Sequence, residues 1–411
     1  MRILFYLPVV TEYWFRNIIL PMIQTAAQEA EVHIVAPPGP WQLTGITETM
    51  LQACVDMPGL QWHILDGEHH PSYRTRPTQQ ADFVEFVHQI NPDYTFCRSA
   101  DVETPAMFPG KVRFVMEATF MPLVPDHMPF HEWVMIHDGP GLFDHGLMPQ
   151  LSDTQRTRFR EHVQPIWNRY VEREIDCPSV RNAYLAEAGL PRNRKIIAVP
   201  LEYDGPENFF NVLHGIGKPN DELVAELAEQ IDDDSILAVT VHPIQQVRHP
   251  ETSRRIAHMD PAKVRIVRGP GLRNQLTSWL LHHCDGAIVQ DSKSIMNAAF
   301  FEKPVLRLSK FTTADWVNAY DDIASFMTDI RAGTARTASR DDAMVWLGYH
   351  HANQALAASE LPSKSLAALL DRVDRPINPE RWEANLARHM GSFDSWSVPT
   401  SMASARQLTK A

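Results

Sequence analysis

The chain has 411 residues, more than one ordinary hydrophobic core organises, and its length points to two domains of roughly 200 residues each. At 44% hydrophobic and 21% charged it reads as a globular, water-soluble protein. Lys+Arg 38 against Asp+Glu 50 leaves a formal charge of −12, which excludes a general nucleic-acid binder while leaving room for a local basic pocket.

In chain order, the opening segment MRILFYLPVVTEYWF is apolar but contains Pro8 and Glu12 and lacks a signal-peptide cleavage pattern. Within it, residues 2–8 predict a first strand, and apolar spacing from Trp14 to Glu29 predicts a crossover helix. Strands are expected at 31–37, 60–66, 93–98, 112–117 and 132–138, with a polar loop at 67–80 and an amphipathic segment at 80–90. The charged stretch from Ser152 to Ala188 reads as helix, and 190–195 as a linker. A second alternation follows, with strands at 195–203, 235–243, 263–269, 286–290 and 303–308 and helices at 221–231, 271–284 and 294–302. Residues 342–373 and 379–390 read as helical, and the tail beyond has no periodicity.

Short β-rich runs alternating with longer helical patterns predict an α/β fold with parallel sheets. The expected division is 1–190, 191–375, and a C-terminal helix with a loose tail at 376–411. Cys54, Cys97, Cys177 and Cys284 are far apart and form no CxxC pair, so neither a zinc site nor a disulfide framework is expected and a reducing cytoplasm fits. No apolar run is long enough to span a bilayer. Peripheral attachment at the inner face of the cytoplasmic membrane stays open.

Open α/β sheets bind ligands at the carboxyl ends of their strands, and five strand ends carry polar side chains. Asp138 and Gly139 follow an apolar strand, as a general base would, or as a plain Asp-Gly turn. Glu117 closes another strand, where a helix cap or surface charge is the simpler reading. Glu202, Asp204 and Glu207 cluster in a loop whose Asp, Gly and Pro content explains itself cheaply. His242 ends a strand, and Pro243 restricts the backbone before it, fixing where the imidazole points. Gln290, Ser292, Lys293 and Ser294 stand between a strand and a helix, where an anion meets unpaired backbone N–H groups; one capping serine would explain only one of them. GxGxxG, Walker and GxSxG motifs are absent, which disfavours a dinucleotide oxidoreductase. GLFDHG and GEHH lack companions at a metal-ligand spacing and read as loops, so no metal is expected.

In order, VMEATFMPLVPDHMPFHEWVMIHDGPG, IIAVPLEYDGPENF, VTVHP and AIVQDSKSIMNAAFFEKPVLRL resemble the capsule polysaccharide biosynthesis family, which includes bacterial β-Kdo transferases. The resemblance covers roughly residues 90 to 310, and the order of short motifs carries it. More distantly, the Asp-Gly, His-Pro and Ser-rich motifs look like those of bacterial sialyltransferases. The resemblance implies the GT-B fold, two Rossmann-like parallel α/β domains around a cleft, with the acceptor on the first domain and the nucleotide sugar on the second. It implies that His242 and Pro243 contact the nucleotide phosphate and that Gln290 and Ser292, with Lys293 and Ser294 beside them, grip CMP. It likewise implies that Asp138 lies near the acceptor with Glu117 before it, and that Asp204 faces the donor sugar. Lys293, Ile295, Asn297, Glu202 and Glu302 depart from the family's usual residues. The expected activity is transfer of Kdo or a related 2-keto sugar acid from a CMP-linked donor to a glycan or lipid-linked acceptor in bacterial surface polysaccharide synthesis. No cofactor and no nucleic-acid partner are expected. A UDP-sugar transferase, a sugar-nucleotide epimerase and a non-catalytic scaffold protein are the alternatives.

Overall fold

The computed structural model describes residues 1–65, 74–117, 133–137, 148, 150–172, 178–267, 276–311, 313–350, 356–375 and 378–384. The strands in chain order are β1 (Arg2–Tyr6), β2 (Glu31–Ala36), β3 (Leu60–Ile64), β4 (Tyr94–Cys97), β5 (Lys111–Glu117) and β6 (Trp133–His137). They continue with β7 (Lys195–Pro200), β8 (Ser235–Thr240), β9 (Val264–Ile266), β10 (Gly286–Val289), β11 (Val305–Arg307) and β12 (Leu356–Ala357). The described residues fall into two compact units. The first draws on Met1–Thr119, Pro129–Leu142 and His350–Asn385, and the second includes Phe143–Tyr349.

The first unit holds a seven-stranded sheet in the order β12-β6-β5-β4-β1-β2-β3. The central strands pair parallel, as expected. One edge departs from that expectation, because β6 runs antiparallel to β5 and β12 antiparallel to β6. A five-residue apolar run such as WVMIH carries no sign of strand direction, which the connection before it decides. Residues 342–373 are likewise not one helix. Helix Arg340–Tyr349 gives way to β12, a 3₁₀ turn at Ala358–Ser363, and helix Leu366–Asp374. Pro362 sits in the interruption, where its missing N–H and its ring oppose helix continuation.

The expected crossover helix is built with a widened π turn at Phe15–Ile19, followed by helix Leu20–Ala26. Pro21 explains the widening: it has no N–H to donate to the preceding turn, and its ring needs room from the carbonyl there. Ile18, Ile19, Met22 and Ile23 on this segment are fully buried in one cluster with Ile3, Phe5 and Ile34 of the sheet.

The second unit holds a five-stranded parallel sheet in the order β11-β10-β7-β8-β9. The chain fills β7, β8 and β9 outward, then returns to the other side of β7 for β10 and β11. The reversal between β7 and β10 is the switch point where sheets of this kind leave a crevice. Strands β7, β8 and β10 are almost wholly buried, which fits a sheet covered on both faces. Val199, Leu237, Val239 and Ile288 share a core with Leu227, Ile256 and Ile330 of the surrounding helices. Gly286 lets helix Ile323–Ala332 lie directly on β10, since a Cβ there would stand 2.5 Å from Ile330 Cδ1. The charged stretch after Ser152 forms two helices, Asp153–Glu172 and Pro178–Glu187. Among the described residues, no helix is long and apolar enough to cross a membrane.

Candidate functional site

The carboxyl ends of β11, β10, β7 and β8 stand side by side in the second unit. Register fixes their levels, with Val289 opposite Arg307, Ala287 opposite Ala198 and Pro200 opposite Thr240. Leu201 N–H donates to Thr240 O at 2.9 Å and Leu308 N–H to Val289 O at 2.8 Å. These bonds carry the ladder one residue past the strands and set Ser309, Asp291, Glu202 and His242 along one rim.

At the end of β10, Gln290 and Asp291 are 4% and 9% exposed. Gln290 Oε1 and Asp291 Oδ2 are buried without a hydrogen-bond partner, each of which costs about 1–3 kcal/mol if left so. The other Asp291 oxygen accepts from Ser309 Oγ and lies 3.5 Å from Arg307 Nη2, and both charged side chains are nearly inaccessible. Burial pushes the Asp291 carboxyl above its ordinary range, against the opposing pull of Ser309 and Arg307. Ser292 Oγ donates to Ser294 Oγ at 2.9 Å and accepts from Ser294 N–H at 3.2 Å. It thus orders the start of helix Ser294–Phe300, a short helix of 7 residues whose dipole is correspondingly small. Lys293 is half-buried at the position before that helix. Asn297 Nδ2 donates to Ser278 Oγ at 3.3 Å, while its Oδ1 is buried without a partner.

At the ends of β7 and β8, His242 is exposed and caps helix Pro243–Arg248, its Nδ1 accepting from Ile244 N–H at 3.2 Å. Pro243, at the first helical position, gives up no bond there. Asp204 N–H donates to Gln245 Oε1 at 3.1 Å, and Asp204 Oδ2 accepts from Asn220 N–H at 2.8 Å. The carboxylate therefore satisfies an otherwise unpaired donor in the first turn of helix Asn220–Gln230. Gln245 is fully buried and its Nε2 has no partner. Tyr203 is buried, and its hydroxyl donates to Glu207 Oε1 at 2.6 Å and lies 3.2 Å from His249 Nε2. Burial, and then the bond to Glu207, push the Tyr203 phenol well above its usual range. A Cβ at Gly205 would stand 2.3 Å from the Tyr203 ring, so glycine is what lets the ring fold back over this loop. Glu207 is 6% exposed, and its Oε2 is buried without a partner.

Of the residues the sequence singles out, Asp204, His242, Pro243, Gln290, Ser292, Lys293 and Ser294 lie on this rim. Glu117 is the last residue of β5 in the first unit, and its side chain lies outside the described residues. Asp138 follows β6 and lies wholly outside them. Arg307, Ser309, His249 and Asp291, which lies inside the Gln290–Ser294 motif, are not among the residues the sequence singles out. No motif signals Arg307 or Ser309, since register alone brings them to Asp291. His249 had one cue, a second imidazole seven positions after His242 and itself followed by proline. No group of three or more His, Cys, Asp or Glu among the described residues could hold a metal ion.

No protein-family model matches the chain, and no curated protein matches it. Among solved structures it is similar to the β-Kdo 2,4 transferase of Thermosulfurimonas dismutans KpsC, at 10% identity and a TM-score of 0.42, covering 84% of this chain and 90% of that one. The β-Kdo 2,7 transferase of the same protein gives 10% identity and a TM-score of 0.41 over 88% and 98% of the two chains. Escherichia coli ADP-heptose LPS heptosyltransferase II gives 12% identity and a TM-score of 0.24 over 75% and 84%. Likenesses of this size assign no activity.

Proposed function

We propose that the protein is a GT-B glycosyltransferase that moves a sugar from a nucleotide-activated donor, CMP-linked Kdo or a related 2-keto sugar acid, to a glycan or lipid-linked acceptor. The observation that carries this reading is the rim of the second unit. Buried polar groups without protein partners collect beside the switch point, and the motifs that resemble those of the capsule family end on the same strands. A group buried and unpaired at a ligand-binding edge is one held for a ligand.

In this reading His242, Lys293 and the Ser292–Ser294 pair receive the nucleotide phosphate and stabilise the charge it gains on departure, with no metal or cofactor required. Asp291 confines the phosphate to that side. A carboxylate and a phosphate oxygen about 4 Å apart would repel by roughly 4 kcal/mol at an effective dielectric of 20. Gln290 and Asp291 instead present acceptor oxygens, which suit hydroxyl or amino groups of the nucleotide. Asp138 would sit near the acceptor with Glu117, and Asp204 would face the donor sugar, giving up its bond to Asn220 if it attacks the anomeric carbon. The reaction belongs on the cytoplasmic side of the membrane, where activated sugars are made.

Calorimetric titration with CMP and with UDP tests this. We expect micromolar binding of CMP, weakened at least tenfold in His242→Ala and Ser292→Ala, about 1.4 kcal/mol. Preference for UDP would overturn the donor and keep the transferase. A folded protein that binds neither nucleotide would overturn the enzyme and leave a scaffold role.

A further inference from the structure

Two histidines flank one tyrosine on this rim. The His242 ring centroid lies 6.1 Å from that of Tyr203 and the His249 centroid 5.7 Å, the latter stacked on it. Their ring nitrogens are committed in opposite senses. Nδ1 of His242 accepts from Ile244 N–H, so the neutral ring carries its proton on Nε2. His249 is set by Tyr203, and the single phenol proton decides how. Glu207 Oε1 is 2.6 Å from the phenol oxygen and His249 Nε2 is 3.2 Å from it. The proton goes to the nearer, negatively charged partner, because a carboxylate makes the shorter, charge-assisted bond. The phenol oxygen then accepts from His249, which places a proton on Nε2 and leaves Nδ1 as a lone-pair acceptor. His249 is half-exposed, and its side chain makes no other hydrogen bond among the described residues, so that lone pair stays available.

We propose that His249 is the proton acceptor for the hydroxyl that attacks the donor sugar, with Tyr203 and Glu207 as the positioning residues that hold the required tautomer. The proposal rests on the transferase reading above. In the step, the acceptor oxygen bonds the anomeric carbon and the bond from that carbon to its leaving oxygen breaks. The electron pair of the broken bond stays on the leaving oxygen, and the hydroxyl proton passes to His249 Nδ1. The arrangement is a histidine oriented through its far nitrogen by a carboxylate, with one phenol inserted between them. A positioned base of this kind contributes about 10²–10⁴-fold in rate.

The first test needs no substrate. In a histidine-labelled sample, nitrogen-15 spectra at alkaline pH should show His249 as the Nε2–H tautomer, and Tyr203→Phe should bring the other tautomer into the mixture. A His249 protonated on Nδ1 would overturn the proposal whatever the protein does. The second test follows steady-state CMP release from CMP-Kdo, with water as the attacking hydroxyl, by wild type and by His249→Gln, whose amide can still donate to Tyr203 but offers no basic nitrogen. The expected result is release about 100-fold slower, with CMP affinity within twofold. Equal rates would overturn the base while leaving the transferase intact. A wild type that shows the expected tautomer but neither binds CMP nor consumes CMP-Kdo would remove the transferase reading and this step with it.

Discussion

Two aspartates occupy the same kind of place in the two units, and the protein treats them differently. Asp101 follows β4 in the first unit and Asp291 follows β10 in the second, at 2% and 9% exposure. Asp101 is saturated by its own neighbourhood: Glu103 N–H donates to it at 3.0 Å, Thr104 Oγ1 donates to its other oxygen, and Arg76 Nε lies 3.7 Å away. Asp291 keeps one oxygen on Ser309 and Arg307 and leaves the other with nothing. A buried carboxylate that engages both oxygens with its own neighbourhood is holding the loop; one that withholds an oxygen beside a switch point is available to a ligand.

The largest effect that can break this contrast is on stability. Asp101→Ala removes the acceptor for a backbone N–H and a buried hydroxyl together, and should cost roughly 3 kcal/mol, read from urea unfolding. If the cost stays below about 1 kcal/mol, typical of a lone surface cap, Asp101 is no fastener and the comparison loses one side.

The next effect is a pH dependence, and its sign follows from the Asp291 shift. The folded-state carboxyl titrates above the ordinary value of 3.8, so over the interval between the two values the folded protein holds more protons than the unfolded chain. Stability attributable to this group therefore falls as pH rises through that interval and is flat above it. Asp291→Asn cannot titrate, so its stability relative to wild type should improve as pH rises above the ordinary value of 3.8 and then level off, because the wild type alone pays the charging penalty. A relative stability that worsens over that range would mean Arg307 outweighs burial, and Asp291 would become a structural ion pair.

The strands were legible because buried parallel strands are short continuous runs of Val, Ile, Leu and Phe. RILFY, KIIAVP and SILAVT, at the centre of their sheets, are such runs. Strand direction at the β5–β6 edge and the two residues of β12 were not legible, since neither leaves a period in the sequence. On the rim, the sequence marks His242 and Gln290 because each ends an apolar run. It cannot show that the Gln290 neighbour Asp291 meets Arg307 and Ser309, 16 and 18 positions away. Nor can spacing show that Tyr203 reaches His249 across 46 positions, because that contact depends on the β7–β8 pairing and on Gly205 making room for the ring.

Asp204 falls between the two aspartates and gives the smallest, most discriminating effect. Its Oδ2 is spent on Asn220 N–H, as a fastener's would be, yet it stands half-exposed on the second unit's rim, as a ligand-facing residue would. If fastening is all it does, Asp204→Ala should cost about 1 kcal/mol, the usual value of a lost helix cap, and Asp204→Asn only a few tenths, because the amide oxygen still accepts. Transfer from CMP-Kdo should then be equal in Asp204→Asn and wild type. If the carboxylate also attacks the sugar, the same near-neutral substitution should abolish transfer while CMP affinity and unfolding hold, since an amide keeps the cap but not the nucleophile. Thermal unfolding and turnover of that one variant, read together, place Asp204 with Asp101 or with Asp291.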